Sequence, residues 1–211
     1  LLDGTLKSDE SRVNSLSDFS RKARTKGSRD ISVLYAFDLD RMEPVCSKCY
    51  PGNMPDLTAY GDFVRECGIK RGVIVADKGF PSGAAAECRK DAPDLHYLNP
   101  VKRNSSLIKT HGMLDFDGVL PDREGISFRK ARVAGGRKWL YAYRDTRAAF
   151  EQETGYIERT SKKKGGMDSG KYLKKKNRFG LIVFQCKDNL DPLLVYQAYL
   201  GRWDIEVMFD M

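Results

Sequence analysis

The chain has 211 residues, and its 37 Lys and Arg outweigh 29 Asp and Glu to give a formal charge of +8, which favours a polyanion as partner. Its hydrophobic share of 41 % is enough for a substantial core, yet no stretch is long and apolar enough to span a bilayer, which excludes an integral membrane role. Five cysteines without a signal peptide exclude a secreted disulfide framework and point to a soluble protein of the reducing cytosol.

At the start, Leu1 and Leu2 precede Asp3 and Gly4, an apolar run ending in a carboxylate and a glycine that lets the chain turn away. A turn or cap aspartate would read the same way. Residues 20–27 form a basic loop with Arg21, Lys22, Arg24 and Lys26. Residues 31–38 read as a strand and 43–50 as its partner in a hairpin. Leu57, Tyr60, Phe63, Val64 and Cys67 have helical spacing, with Asp56 as the expected cap and Gly68 as the stop. Residues 73–76 are a short, β-branched run of the kind that forms a buried strand, and Asp77 follows directly. The carboxyl end of a strand is where α/β sites gather. A helix over 82–90 and a strand over 95–99 complete an alternation that suits a mixed α/β core.

Cys46 and Cys49 have zinc-knuckle spacing, but no second pair completes it. Cys67, Cys88 and Cys186 are dispersed, and His96 and His111 lack the spacing a four-ligand site needs.

After Pro100 the pattern changes to short strands, over 126–129 and 138–143 joined at Gly135 and Gly136, as in a small antiparallel sheet. Residues 150–159 have weak helical spacing, and 178–184 read as a strand leading back to the core. Two lysine runs, Lys162, Lys163, Lys164 and Lys174, Lys175, Lys176, bracket a glycine-rich stretch. They could track phosphates or form a solvated surface. Tyr172 and Phe179 nearby add little to the phosphate reading and are as readily strand supports. Residues 165–172 nearly match the phosphate-binding pattern G-x-x-x-x-G-K-S/T, but Tyr172 stands where a small hydroxyl should reach Mg²⁺, and lysines replace the preceding apolar strand. A flexible hairpin tip is expected there instead.

The last helix is expected from Asp191 and Pro192 onward. On it Val195, Tyr199, Arg202, Glu206 and Phe209 fall on one narrow face, so an arginine and a glutamate stand among residues that point inward. A buried carboxylate is costly unless it is paired or binds a metal, so Arg202 and Glu206 form either an ion pair or part of a site.

The segments around Asp3, Asp77 and the Y-x-x-R-x-x-x-E stretch from Tyr199 to Glu206 together resemble the DDE transposases of bacterial insertion sequences, in the group whose signature continues to a lysine. That lysine would lie beyond Met211, and neither end of the chain looks native. The resemblance covers most of the chain. It implies an α/β, ribonuclease-H-like core, a mixed sheet flanked by helices, forming one catalytic domain over 1–211 with a β-rich insertion at about 107–187. It implies DNA cleavage and strand transfer, with transposon ends and target DNA as partners, a homodimer in the DNA complex, no membrane, and action in the cytoplasm at the nucleoid. Asp3, Asp77 and Glu206 would be the catalytic metal ligands, because such chemistry uses two divalent ions, Mg²⁺ or Mn²⁺, about 4 Å apart. Arg202 would grip a phosphate with its planar fork, and Tyr199 would donate to the same backbone. Trp203 would stack on an unpaired base, or pack as an ordinary core tryptophan. A nuclease without strand transfer would share the carboxylates but not the Tyr-Arg-Glu helix. A non-enzymatic DNA-binding remnant would keep only the basic surface.

Overall fold

The computed structural model describes residues 2–11, 13–20, 27–38, 40–75, 92–162 and 166–209, with the backbone alone described at Asp3, Asp56, Leu57 and 202–209. It is a mixed α/β structure of two compact units, residues 1–99 with 198–211 and residues 100–197.

In the first unit, β1 (Leu2–Ser8), β2 (Asp18–Phe19), β3 (Arg29–Asp38) and β4 (Glu43–Pro51) form one sheet. β3 is its middle strand. β1 runs antiparallel along one edge, from Leu2 opposite Ala36 to Ser8 opposite Asp30. β4 follows the other edge as the expected hairpin, and β2 continues that edge with Asp18 opposite Asp30. Side chains alternate between sheet faces, so Leu34 and Ala36 share a face, and both join Leu2 and Tyr50 in the buried core. Helix α1 (Asp56–Glu66) supplies Ala59, Phe63 and Val64 to that core at helical spacing. Its start corrects the expectation for Asp56, which is the first helical residue. Pro55 stands at the N-cap with extended backbone and no side-chain cap hydrogen bond. Gly68 ends the helix as expected, in the left-handed region at φ 64°.

β5 (Gly72–Val75) and β6 (Leu95–Pro100) pair in parallel, Gly72 opposite Leu95 through Val75 opposite Leu98. The helix expected over 82–90 lies outside the described residues.

A disulfide joins Cys46 on β4 to Cys67 at the C-cap of α1, with Cα atoms 6.2 Å apart. This corrects the expectation of a chain without disulfides. The two cysteines are 21 residues apart, and only the packing of α1 beside the hairpin brings them together. The zinc-knuckle spacing falls on a strand, where residues three apart point to opposite faces, so Cys46 and Cys49 do not converge.

The second unit contains α2 (Ser106–Thr110), β7 (Gly118–Val119), β8 (Ile126–Arg132), β9 (Trp139–Asp145), α3 (Thr146–Ser161), α4 (Ser169–Lys176), β10 (Leu181–Cys186) and the first turns of α5 (Pro192–Phe209). Strands run antiparallel in the order β10, β9, β8, β7. β8 and β9 turn at Gly135, where φ is 71°, as the double glycine led one to expect. β9 is buried on both faces, which explains its continuous apolar run. Leu140 and Ala142 meet Ile108, Met113, Leu181 and Val183 on one side. On the other, the Tyr143 ring lies 5.0 Å from Tyr196 at the start of α5 and 6.4 Å from Phe184.

Helical order is greater here than the sequence suggested. The weak pattern of 150–159 is a 16-residue helix, capped by Asp145 accepting from the Ala148 N–H at 3.0 Å. The expected hairpin tip is instead helix α4, capped by Asp168 accepting from the Lys171 N–H at 3.0 Å. An Asp one residue ahead of the first turn satisfies a free N–H in each case. β10 begins at Leu181, not at residue 178, because Gly180 turns the chain at φ 69° just before it.

Candidate active site and nucleic-acid interface

The backbone places Asp3 on β1, opposite Tyr35 of β3. The strand continues through Gly4 to Ser8, so the glycine does not turn the chain, contrary to expectation. It admits close neighbours instead: a Cβ there would lie 2.5 Å from Leu34 Cδ2 and 3.1 Å from the Tyr60 hydroxyl. Gly4 thus lets α1 press a tyrosine hydroxyl onto the strand one residue from Asp3. β5 covers the expected strand from Val73 to Val75, and Ala76 and Asp77 lie outside the described residues. Glu206 stands on the last turns of α5, where only backbone is described, and the same holds for Arg202 and Trp203. α5 starts as expected, with Asp191 accepting from the Leu193 and Leu194 N–H groups at 2.8 and 3.1 Å. Val195 on the predicted stripe is buried and Tyr199 is half-buried. β1, β5 and the part of α5 carrying Tyr199, Arg202, Trp203 and Glu206 belong to one unit.

Among the described residues, no three His, Cys, Asp or Glu side chains are grouped to hold a metal ion. The three carboxylates expected to do so are not among those side chains. No helix of the described residues is long and apolar enough to cross a membrane.

The lysine runs divide. Lys162 is exposed at the C-cap of α3, whereas Lys163 and Lys164 lie outside the described residues. Lys174, Lys175 and Lys176 form the last turn of α4, all exposed, where positive charge complements the carbonyl end of a helix. Two of them also rest on aromatic faces: Lys175 Nζ lies 4.9 Å from the Tyr156 centroid and Lys176 Nζ 6.0 Å from that of Tyr172. Tyr156 and Tyr172 stack at 6.4 Å with 26° between planes, and Phe179 lies 5.6 Å from Tyr156. Tyr172 therefore ties α4 to α3 and does not support a strand, while Phe179, just before β10, packs on Tyr156 of α3. The Tyr172 hydroxyl donates to Glu153, and that bond raises its pKa. In the phosphate-loop near-match, Lys171 pairs with Asp168 at 3.1 Å and residues 166–168 lead into α4, with no apolar strand between α3 and α4 among the described residues.

Two polar centres have no counterpart in the sequence reading. The Tyr141 hydroxyl lies 2.7 Å from the Leu190 N–H, from which it accepts, and it is within 3.0 and 3.2 Å of the Asp188 and Leu190 carbonyls. Lys130 donates to the same Leu190 carbonyl at 2.7 Å, its Nζ 5.1 Å from the Trp139 centroid. These partners are 47 to 60 residues apart, and no local pattern announces them. On the first unit, Lys48 bridges Asp62 and Glu66, and the Tyr50 hydroxyl donates to Asp62 at 3.1 Å. The Glu66 hydrogen bond chiefly raises the Lys48 pKa. The four-residue spacing of Asp62 and Glu66 on a helix face is a local signal that could have found this group.

Compared with known protein families, residues 6–211 match the family described as "Transposase DDE domain". The match includes Asp77 and Glu206 and begins three residues after Asp3. No curated protein and no solved structure matches the chain.

Proposed function

Given that the chain belongs to the transposase DDE domain family, we propose that residues 1–211 form the catalytic domain of an insertion-sequence transposase that cuts DNA and joins it to a target. The observation that carries this reading is the family match over 6–211 together with the Y-x-x-R-x-x-x-E stretch on α5. The assignment of the three carboxylate-bearing segments to one unit supports it. In this reading the first unit is a ribonuclease-H-like core, and residues from about 107 to 187 are a β-rich insertion.

Asp3, Asp77 and Glu206 are the residues to hold two Mg²⁺ or Mn²⁺ ions. Their chemistry fits, since hard divalent cations prefer carboxylate oxygens and these three would supply them. Bound ions supply charge stabilisation at the attacking and leaving oxygens. The protein side chains bind and orient the DNA. Arg202 clamps a phosphate of the cut end through its planar fork, Tyr199 donates a hydrogen bond to the same backbone, and Trp203 stacks on an unpaired base. Lys162, Lys163, Lys164, Lys174, Lys175 and Lys176 contact phosphates without reading sequence. The protein works as a homodimer on transposon ends and target DNA, in the cytoplasm at the nucleoid.

The test incubates the full-length protein with labelled element ends, Mg²⁺ and a target plasmid. Joined products are expected. Cleavage without joining would make the protein a nuclease, and a mobility shift alone would make it a binder, either of which overturns the proposal.

A further inference from the structure

The Cys46–Cys67 disulfide is a covalent bond that the transposase reading neither needs nor explains. Tyr60, Phe63, Val64 and Cys67 lie along one face of α1, with Phe63 and Val64 in the buried core and Cys67 packed at its margin. Near the start of that face the Tyr60 hydroxyl sits against Gly4 of β1, and at its end Cys67 is bonded to Cys46 of β4. The bond therefore fixes to the hairpin the same helix that presses on the strand bearing Asp3.

Its surroundings distinguish it from a crosslink sealed in a core. Both cysteines are half-buried at the rim, within reach of a dissolved reductant. Cys49, the exposed free thiol of the same strand, pairs with Val33 while Cys46 pairs with Ala36, so the two point to opposite faces and Cys49 cannot take over the bond. A polar clasp spans the same gap. Lys48, two residues along β4 from Cys46 and on the same face, pairs with Asp62 at 3.2 Å and with Glu66, the residue before Cys67. These groups are partly exposed, and such pairs hold weakly and are screened by salt. In the reducing cytoplasm proposed above, a disulfide is usually transient or redox-sensing.

We propose that Cys46–Cys67 is a redox latch: oxidised, it locks the end of α1 to the β3–β4 hairpin, and a thioredoxin-class dithiol opens it. A thiolate of the dithiol attacks one sulfur, the S–S bond breaks to leave a mixed disulfide, and the dithiol's second thiol resolves that intermediate. Two electrons and two protons pass to Cys46 and Cys67, which become thiols, while the dithiol becomes a disulfide. Oxidised glutathione reverses the exchange. Release of α1 stands on the geometry alone, whereas the accompanying loss of DNA cleavage rests on the catalytic reading of Asp3.

The test follows backbone hydrogen exchange and cleavage of labelled element ends by the full-length protein, oxidised and after thioredoxin treatment, beside a Cys46→Ser, Cys67→Ser double variant. The bond should open without denaturant and re-form with oxidised glutathione. On opening, the amides of Phe63 to Cys67 should exchange about tenfold or more faster, since the crosslink no longer restrains the open chain. Added salt should speed them further in the reduced form alone, where only the Lys48 clasp still holds. Cleavage should fall several-fold and recover on reoxidation, and the double variant should match the reduced protein under either treatment. The reduced wild type keeps the comparison decisive should the double variant fail to fold. A bond that resists the dithiol until the protein unfolds, exchange unchanged by reduction, equal cleavage in both states of an active protein, or a response that persists in the double variant would each overturn the proposal. Exchange that responds in a protein without cleavage in either state supports the latch and counts against the catalytic reading alone.

Discussion

Single residues carry much of this protein's local order, and two tyrosines make that measurable. Burial first, then the hydrogen bond to Asp62, pushes the Tyr50 hydroxyl pKa up from 10.0 to about 12. Burial likewise pushes Tyr141 up to about 12. A raised pKa means that the folded state holds its proton more tightly than the unfolded chain does. The resulting stability is complete below the unfolded value of 10.0 and is lost as pH rises from there through about 12. Denaturant unfolding followed across that window should show stability falling more gently in Tyr50→Phe or Tyr141→Phe than in the wild type. Tyr141→Phe should also cost about 1–3 kcal/mol near neutrality, because the Leu190 N–H loses its acceptor. An unchanged slope would remove both tyrosines from the alkaline transition. Neither residue stood out in the sequence. Their partners come from distant segments, whereas Asp191, whose partners are its immediate neighbours, was legible as a helix start.

Among elements, the β3–β4 and β8–β9 hairpins were readable because alternation and turn residues are local signals, whereas β1 beyond Gly4 and the two-residue β2 were not. The α3–α4 pair was not. Its helices are set by Asp145 and Asp168 caps and by tyrosine stacking, which a periodicity reading of 150–176 does not register. Gly180, which ends the turn after α4, is the tightest test of that packing. A Cβ there would meet the Asp145 carbonyl and lie 2.7 Å from Ala149 Cβ, at a φ of 69°. Gly180→Ala should therefore destabilise the protein by about 2–4 kcal/mol, summing overpacking and left-handed strain, and lower the melting temperature. A neutral substitution would show that α3 moves aside freely. The lysine turn of α4 makes a second test, since Lys175 and Lys176 rest on tyrosines. Neutralising all three lysines should lower stability by about 0.5–1 kcal/mol per stacked lysine. If they also contact DNA, the logarithm of affinity should lose about 0.9 of a unit of salt slope per phosphate contact removed. A stability loss with an unchanged salt slope would leave them as structural latches alone.

At the scale of the whole molecule, the sequence disclosed the family more clearly than the geometry of its site. Asp3, Asp77 and the Tyr199–Glu206 stretch were recognisable because each follows a local pattern, an apolar run or a helix face. Their proposed convergence is a matter of long-range folding, and the observation that bears on it is the placement of β1, β5 and the later turns of α5 in one unit. The Cys46–Cys67 disulfide shows the same limit, since only tertiary packing brings a strand cysteine to the end of a helix. The central claim is that Asp77 is a metal ligand of a strand-cleaving site. Asp77→Asn keeps the side chain's shape and removes its negative charge, so the most direct measurement compares wild type and variant for cleavage of labelled element ends in Mg²⁺, with DNA binding measured alongside. Cleavage should collapse while binding persists. Near wild-type cleavage by the Asp77→Asn protein would contradict the account.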